Sequence, residues 1–389
     1  MNGAASEINP LAQEMAAQMH LGVYGTVGKL ARQLRAIQRI APKLKEGGLV
    51  RKLSIDRQVR RRAVGIAAAS QSINAFGGRL YAVGALAHEI VAAGSDITHT
   101  GQQSRLDIGD MTNLEAERRL EWKTYWFIYD LLDETFQQLE LPDLLLLDLP
   151  LVMGRDVYAQ SLAGQDEEVD RELKDEIQKL RERVENFWKR NLDKCFPFAE
   201  KGPVIVSLGR RQFGSLLRLL EAKGKNATPD PVDFEALELI KEDWVQILSI
   251  GTDRVLAGIL PTEHRTAAYN RQASLDKRAF PRVLIEKGSL GFHYLTGLRG
   301  NPVQVETIGD AALWQSRGAE TTLDRLAADL IALTYFDHSK ALPLPLWYAQ
   351  RAVKVAKEKG PLEFYRRETL RAMREEQVER TWLSGWAEE

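Results

Sequence analysis

Between Arg60 and His88 the chain spells out a hairpin. Three consecutive arginines, Arg60, Arg61 and Arg62, lead into Ala63-Val-Gly-Ile-Ala-Ala-Ala-Ser70, a polar segment from Gln71 to Gly78, and then Arg79-Leu-Tyr-Ala-Val-Gly-Ala-Leu-Ala-His88. Two apolar runs flanking Asn74 and a glycine pair predict antiparallel strands joined by a tight reversal. Further on, Leu141-Pro-Asp-Leu-Leu-Leu-Leu-Asp-Leu-Pro-Leu151 sets a second constraint. Four leucines in a row show no period-two alternation, so between Pro142 and Pro150 they predict a strand buried on both faces. Such a strand needs cover above and below, which makes this an α/β chain.

Asp148 stands at the C-terminal end of that buried run. A carboxylate there costs several kcal/mol unless it is paired, hydrogen-bonded or on a cation. In open α/β sheets this strand edge is also where ligands sit. The surrounding helices read clearly. Pro10 to Lys45 is helical, either continuous or broken at Gly22 or Gly25, and Gly47-Gly48 closes a helical appendage covering residues 1–50. Residues 51–389 form the main domain. Within it, Asn113 to Leu139 is a helix whose Trp122, Tyr125, Trp126 and Tyr129 share one face suited to a core, with Glu121 at its border. Asp166 to Lys194 carries a four-three apolar stripe and marks a helical insertion at about 160–200. That helix either pairs two subunits or reaches over a groove, or it packs on its own domain.

Pro203 to Leu208 is another buried strand, after which Gly209-Arg210-Arg211 opens a helix whose start and guanidiniums favour an anion. Arg282 to Glu286, Gly291 to Leu295 and Val303 to Thr307 read as strands, and Thr322 to Tyr335 as a helix. The tail from Glu379, with Trp382 and Trp386, packs back on the domain or docks a partner. A net charge of −1 gives no global attraction to a polyanion, so any nucleic-acid contact must come from local basic patches. The single Cys195 excludes an internal disulfide and fits a reducing cytoplasm. No secretory pattern opens the chain, and its most apolar run is too short and too interrupted for a bilayer. The histidines lack metal-ligand spacing, and neither a Walker loop nor a Gly-x-Ser-x-Gly elbow occurs.

Several stretches, in order over roughly residues 50 to 360, resemble the NurA nuclease family. Ala68-Ala69-Ser70 stands where the family has Asp-Gly-Ser. Arg119-Leu120-Glu121 matches a helix glutamate, with Glu117 one turn earlier as the alternative, and Asp148-Leu-Pro-Leu151 matches an aspartate followed by Pro-Leu. Glu263, Arg265 and Thr266 fit a glutamate-arginine-serine segment into which His264 intrudes, and Glu306 fits a late valine-glutamate pair. Ala341 to Gln350 keeps the prolines of the closing motif but has Leu342 and Gln350 in place of its tyrosine and histidine.

The resemblance implies an RNase H-like (PIWI-like) mixed sheet flanked by helices, with long helical insertions. It implies a divalent-metal-dependent deoxyribonuclease using Mn2+ or Mg2+, with Glu121 and Asp148 as metal ligands and Ala68 at the missing third position. Arg79, Arg210, Arg211 and Arg265 become the DNA contacts. The partners it implies are DNA, a second copy of the chain and a hexameric HerA-type ATPase, in DNA end processing or defence against invading DNA. Alanine at 68, or at 67, means either an introduced aspartate-to-alanine change or a natural loss of catalysis. The intact Asp148, Glu121 and hairpin favour the first. The rival readings are a non-catalytic DNA-guiding or scaffold subunit of a translocase complex, and an unrelated α/β binding protein.

Overall fold

The computed structural model describes residues 10–56, 59–154, 167–208, 228–238, 252–271, 279–296, 302–335 and 342–375. Its strands are β1 (Val50–Lys52), β2 (Val59–Ala75), β3 (Gly78–Gly94), β4 (Asp96–Met111), β5 (Leu144–Leu147), β6 (Val204–Ser207), β7 (His264–Thr266), β8 (Tyr269–Asn270), β9 (Ser289–Tyr294) and β10 (Val303–Ile308). The helices used below are α1 (Pro10–Glu46), α2 (Ala116–Phe136), α3 (Glu167–Asn191), α4 (Phe234–Glu238), α5 (Thr252–Ile259), α6 (Arg282–Lys287), α7 (Ala311–Ser316), α8 (Ala319–Tyr335), α9 (Leu344–Ala352) and α10 (Lys359–Glu375).

All the strands lie in one mixed sheet, ordered β1-β7-β9-β10-β6-β5-β2-β3-β4, with β8 added on β9. β5 is central and runs parallel to β2 on one side and β6 on the other. β2, β3 and β4 form an antiparallel meander. The four leucines of β5 explain this placement, because each is at most 3% exposed and faces one of two cores. Leu144 and Leu146 join Ala63, Ala67, Ala69 and the apolar sides of α8 and α9. Leu145 and Leu147 join Val64, Ile66 and the apolar sides of α2 and α3. Each buried leucine contributes about 1.5–3 kcal/mol, enough to set the register of a four-residue strand.

Several expectations are corrected. Arg282 to Glu286 is helical rather than extended, as α6. A run of five apolar and charged residues carries no decisive period. Pro281 in the extended region before it and Gly288 at φ +80° after it bound a single turn. α1 is one continuous helix through Gly22 and Gly25, where nothing approaches closely enough to bend it. Its second half is built into the domain, since Ile37, Ile40 and Leu44 share a core with Leu237, Val255, Leu256 and Ile259. α3 packs on its own domain, burying Leu173, Ile177, Leu180, Val184 and Phe187. Arg119 locks it to α2 through two hydrogen bonds to Glu176, at 2.9 and 2.6 Å. β4 has no counterpart in the sequence reading, because its threonines, glutamines and glycines form no apolar run.

One buried titratable group makes stability pH-dependent. His293 on β9 is 2% exposed and stacked on Tyr269, and its Nδ1 meets no partner among the described residues. Burial without compensation pushes its pKa down to about 3. The unfolded chain protonates near pH 6.5 and the folded one does not, so stability is full above that pH and is lost as pH falls. Between pH 7.5 and 5 the expected loss from this residue is about 2 kcal/mol. Urea unfolding at both pH values should therefore show His293→Phe losing about 2 kcal/mol less than the parent. Equal losses in the two proteins would show that His293 is not responsible.

Candidate functional site

β2 runs past the C-terminal ends of β5 and β6, and Ala67 and Ala68 lie on that overhang. The last paired position of β5 is Leu147 against Ile66, and the Asp148 amide continues the ladder by donating to the Ile66 carbonyl at 3.0 Å. Asp148 therefore emerges beside Ala67 and Ala68. The strand pleat sends these two alanines to opposite faces. Ala67 is fully buried against the core under α8 and α9, whereas Ala68 is half-buried on the side covered by α2.

The segment carrying Asp148 is pinned at several points. Ser207 at the end of β6 donates its hydroxyl to the Leu149 carbonyl. Glu306 on β10 is fully buried, pairs with Arg271 and accepts from the Leu151 amide at 3.4 Å and from Ser289 at 3.3 Å. Glu306 thus acts on this site through the backbone of the Asp148–Leu151 turn. In the sequence its only signal was a motif match, because β10 could not be placed beside β6 before folding.

Glu121 comes from the first half of α2. Leu120 packs with Tyr81 and Val83, whose partners on β2 are Ser72 and Ser70. That places Glu121 at about the level of Ser70, on the same face as Ala68. Its carboxylate accepts from Tyr125 at 2.7 Å and from Arg118 at 2.9 Å. Glu117, one turn earlier, is exposed and lies 3.8 Å from Arg79. Arg79 opens β3 at the same end of the sheet. Lys123 ties α2 to the meander through Asp107, at 2.9 Å, and Tyr81 donates to the same carboxylate at 2.8 Å. Burial raises the Asp107 pKa, but these two hydrogen bonds outweigh it and hold it below the usual carboxylate range.

Two of the proposed DNA contacts, Arg210 and Arg211, lie outside the described residues. Arg265, another proposed contact, is buried away from solvent. It is 0% exposed, donates to both oxygens of Asp230 at 2.7 and 2.8 Å and reaches Asp324 at 2.6 Å. It also sits five strand positions from β2, about 24 Å at the usual spacing. Leu342 and Gln350 flank and end the first turns of α9, which packs on the face of β2 opposite α2. The backbone of Pro345 and Leu346 crosses β2 directly at Gly65.

A divalent ion in a hydrolytic site needs several hard oxygen ligands. Here Glu121 on α2 and Asp148 just after β5 come from the two elements that flank this part of β2, and position 68 on β2 is alanine. Among the described residues no group of three or more histidines, cysteines, aspartates or glutamates could hold a metal ion. As they stand, these residues do not fit a divalent-metal centre. No helix among them is long and apolar enough to cross a membrane.

No family model and no curated protein matches the chain. Solved structures do. The crystal structure of the NurA nuclease from Sulfolobus solfataricus aligns over 96% of this chain and 99% of its own, with a TM-score of 0.57 and 13% identity. A crystal structure of NurA bound to dAMP and manganese aligns over 97% and 99%, with a TM-score of 0.40 and 11% identity. On the Sulfolobus comparison, which spans nearly both chains, this protein has a NurA-like fold.

Proposed function

We propose that this chain is a NurA-type DNA-processing subunit whose own hydrolytic chemistry is switched off at Ala68. The observation that carries the reading is the position of Ala68. It lies on the α2 face of β2, one strand from Asp148 and at nearly the level of Glu121, in a sheet whose β4-β3-β2-β5-β6 part, an antiparallel meander followed by two parallel strands, supports an RNase H-like core. An aspartate at 68 would add the third carboxylate that the overhang lacks, giving a set of hard oxygens suited to Mn2+ or Mg2+. The side chain of alanine supplies no ligand. Arg79, at the same end of the sheet, would meet a DNA phosphate. The assembly would contain two copies of the chain and a hexameric HerA-type ATPase, in DNA end processing or defence, with the ATPase supplying the Walker-type phosphate loop that this sequence does not contain.

Ala68→Asp tests this directly. With linear duplex DNA, manganese and the ATPase, the parent chain should leave the DNA intact. The variant should degrade it, and should bind Mn2+ at least tenfold more tightly by titration calorimetry. A second reading, a non-catalytic DNA-guiding subunit, is favoured by one observation: both Glu121 oxygens are already engaged by Tyr125 and Arg118. Under that reading Ala68→Asp degrades nothing under any condition, while the parent still co-migrates with the ATPase.

A further inference from the structure

We propose that two copies of this chain join their sheets edge to edge through β4, in an antiparallel register centred on Leu106. This rests on the two-copy assembly proposed above and names its surface. β4 is a 16-residue strand at one end of the sheet, and among the described residues it pairs with β3 alone. A long open edge is a template for strand addition, and proteins commonly shorten, charge or cover such edges. This one is left with Leu106 66% and Ile108 41% exposed, both on the face opposite α2.

The charges select the occupant. Continuing a sheet across a two-fold axis pairs residues whose numbers share a constant even sum, so that each side chain meets one on its own face. Centred on Arg105, the register would put two arginines together at the axis; centred on Asp107, two aspartates. Centred on Leu106, it sets Arg105 of each copy opposite Asp107 of the other on the α2 face. On the opposite face Leu106 then meets its symmetry mate, and Ile108 meets Ser104. Opposite charges directly across a strand pair stabilise it, and like charges destabilise it. Arg105 and Asp107 are already oriented by α2, through Glu134 and Lys123, with about a third of each side chain still open to the partner. Of these three registers only the one centred on Leu106 pairs opposite charges, and that self-complementarity favours a second copy over an unrelated extended peptide.

Cysteine cross-linking reads that register. Paired Cα atoms across antiparallel strands are about 4.5–5.5 Å apart, within disulfide range. Cys195 is buried and does not interfere. Leu106→Cys should give a disulfide-linked dimer on mild oxidation of the full chain. Ile108→Cys should not, since its symmetry mate would lie roughly 13 Å away along the strands. Leu106→Asp should weaken the dimer at least tenfold by light scattering. A monomeric parent overturns both the two-copy assembly and this surface. A dimeric parent that fails to cross-link at 106, or cross-links equally at 108, overturns the surface alone.

Discussion

Arg265→Met should lower stability by about 3–5 kcal/mol, read from the urea midpoint at constant slope. The reason is what the substitution leaves behind. Asp230 is 0% exposed in its side chain and, among the described residues, would be left with the Ala268 amide, at 2.7 Å, and Arg51, at 3.6 Å. Removing one partner of a buried pair strands the other, and that penalty exceeds anything the pair contributed as a pair. Arg265→Lys should recover part of the loss only, since an ammonium cannot reproduce the two-pronged contact with Asp230 and the simultaneous reach to Asp324. The same change should leave DNA affinity unaltered once the protein is kept folded at low temperature. A stability loss under 1 kcal/mol, or a selective loss of DNA binding, would show that the buried network has been misread.

This case also shows which kind of information the sequence carried. Arg265 sits in a stretch that matches a nuclease motif, and arginine suggests phosphate. Whether it faces solvent depends on Asp230 and Asp324, which lie 35 and 59 residues away and have no local signature. By contrast, β5 was legible because four leucines between prolines leave one physical solution. β2 and β3 were legible because the turn chemistry lies between them. The place of Asp148, just past the end of that strand, was legible for the same reason. β4 was not legible: its burial is mostly partial or absent, and its pairing comes from β3 rather than from any apolar pattern of its own. α6 failed for a related reason, because one helical turn is shorter than the window over which period can be counted. The fold was thus readable where burial is complete and local, and opaque where an element is held by distant polar partners.

The second large effect concerns how β2 is held beneath the overhang. A methyl group at Gly65 would fall well inside van der Waals contact of the Leu346 amide nitrogen and the Pro345 carbonyl carbon. Those are backbone atoms at the start of α9, anchored by Leu344, Leu346 and Ala349 in the core, so no rotamer change can make room. Gly65→Ala must push α9 off the sheet or bend β2, and an overpacked backbone contact of this kind is expected to cost at least about 3 kcal/mol. Gly25→Ala, on a stretch of α1 with nothing within 4 Å, provides the opposite result. There the same substitution should raise stability by about 1 kcal/mol through helix propensity. The contrast matters for the site, because α9 backs β2 just three residues before Ala68. If Ala68→Asp restores DNA degradation, adding Gly65→Ala should reduce the rate by at least tenfold even at temperatures where the double variant remains folded by circular dichroism. Under the proposed function, an aspartate on a displaced strand would lose its place relative to Asp148. An unchanged rate in the double variant would mean that α9 supports the fold without setting the position of the overhang.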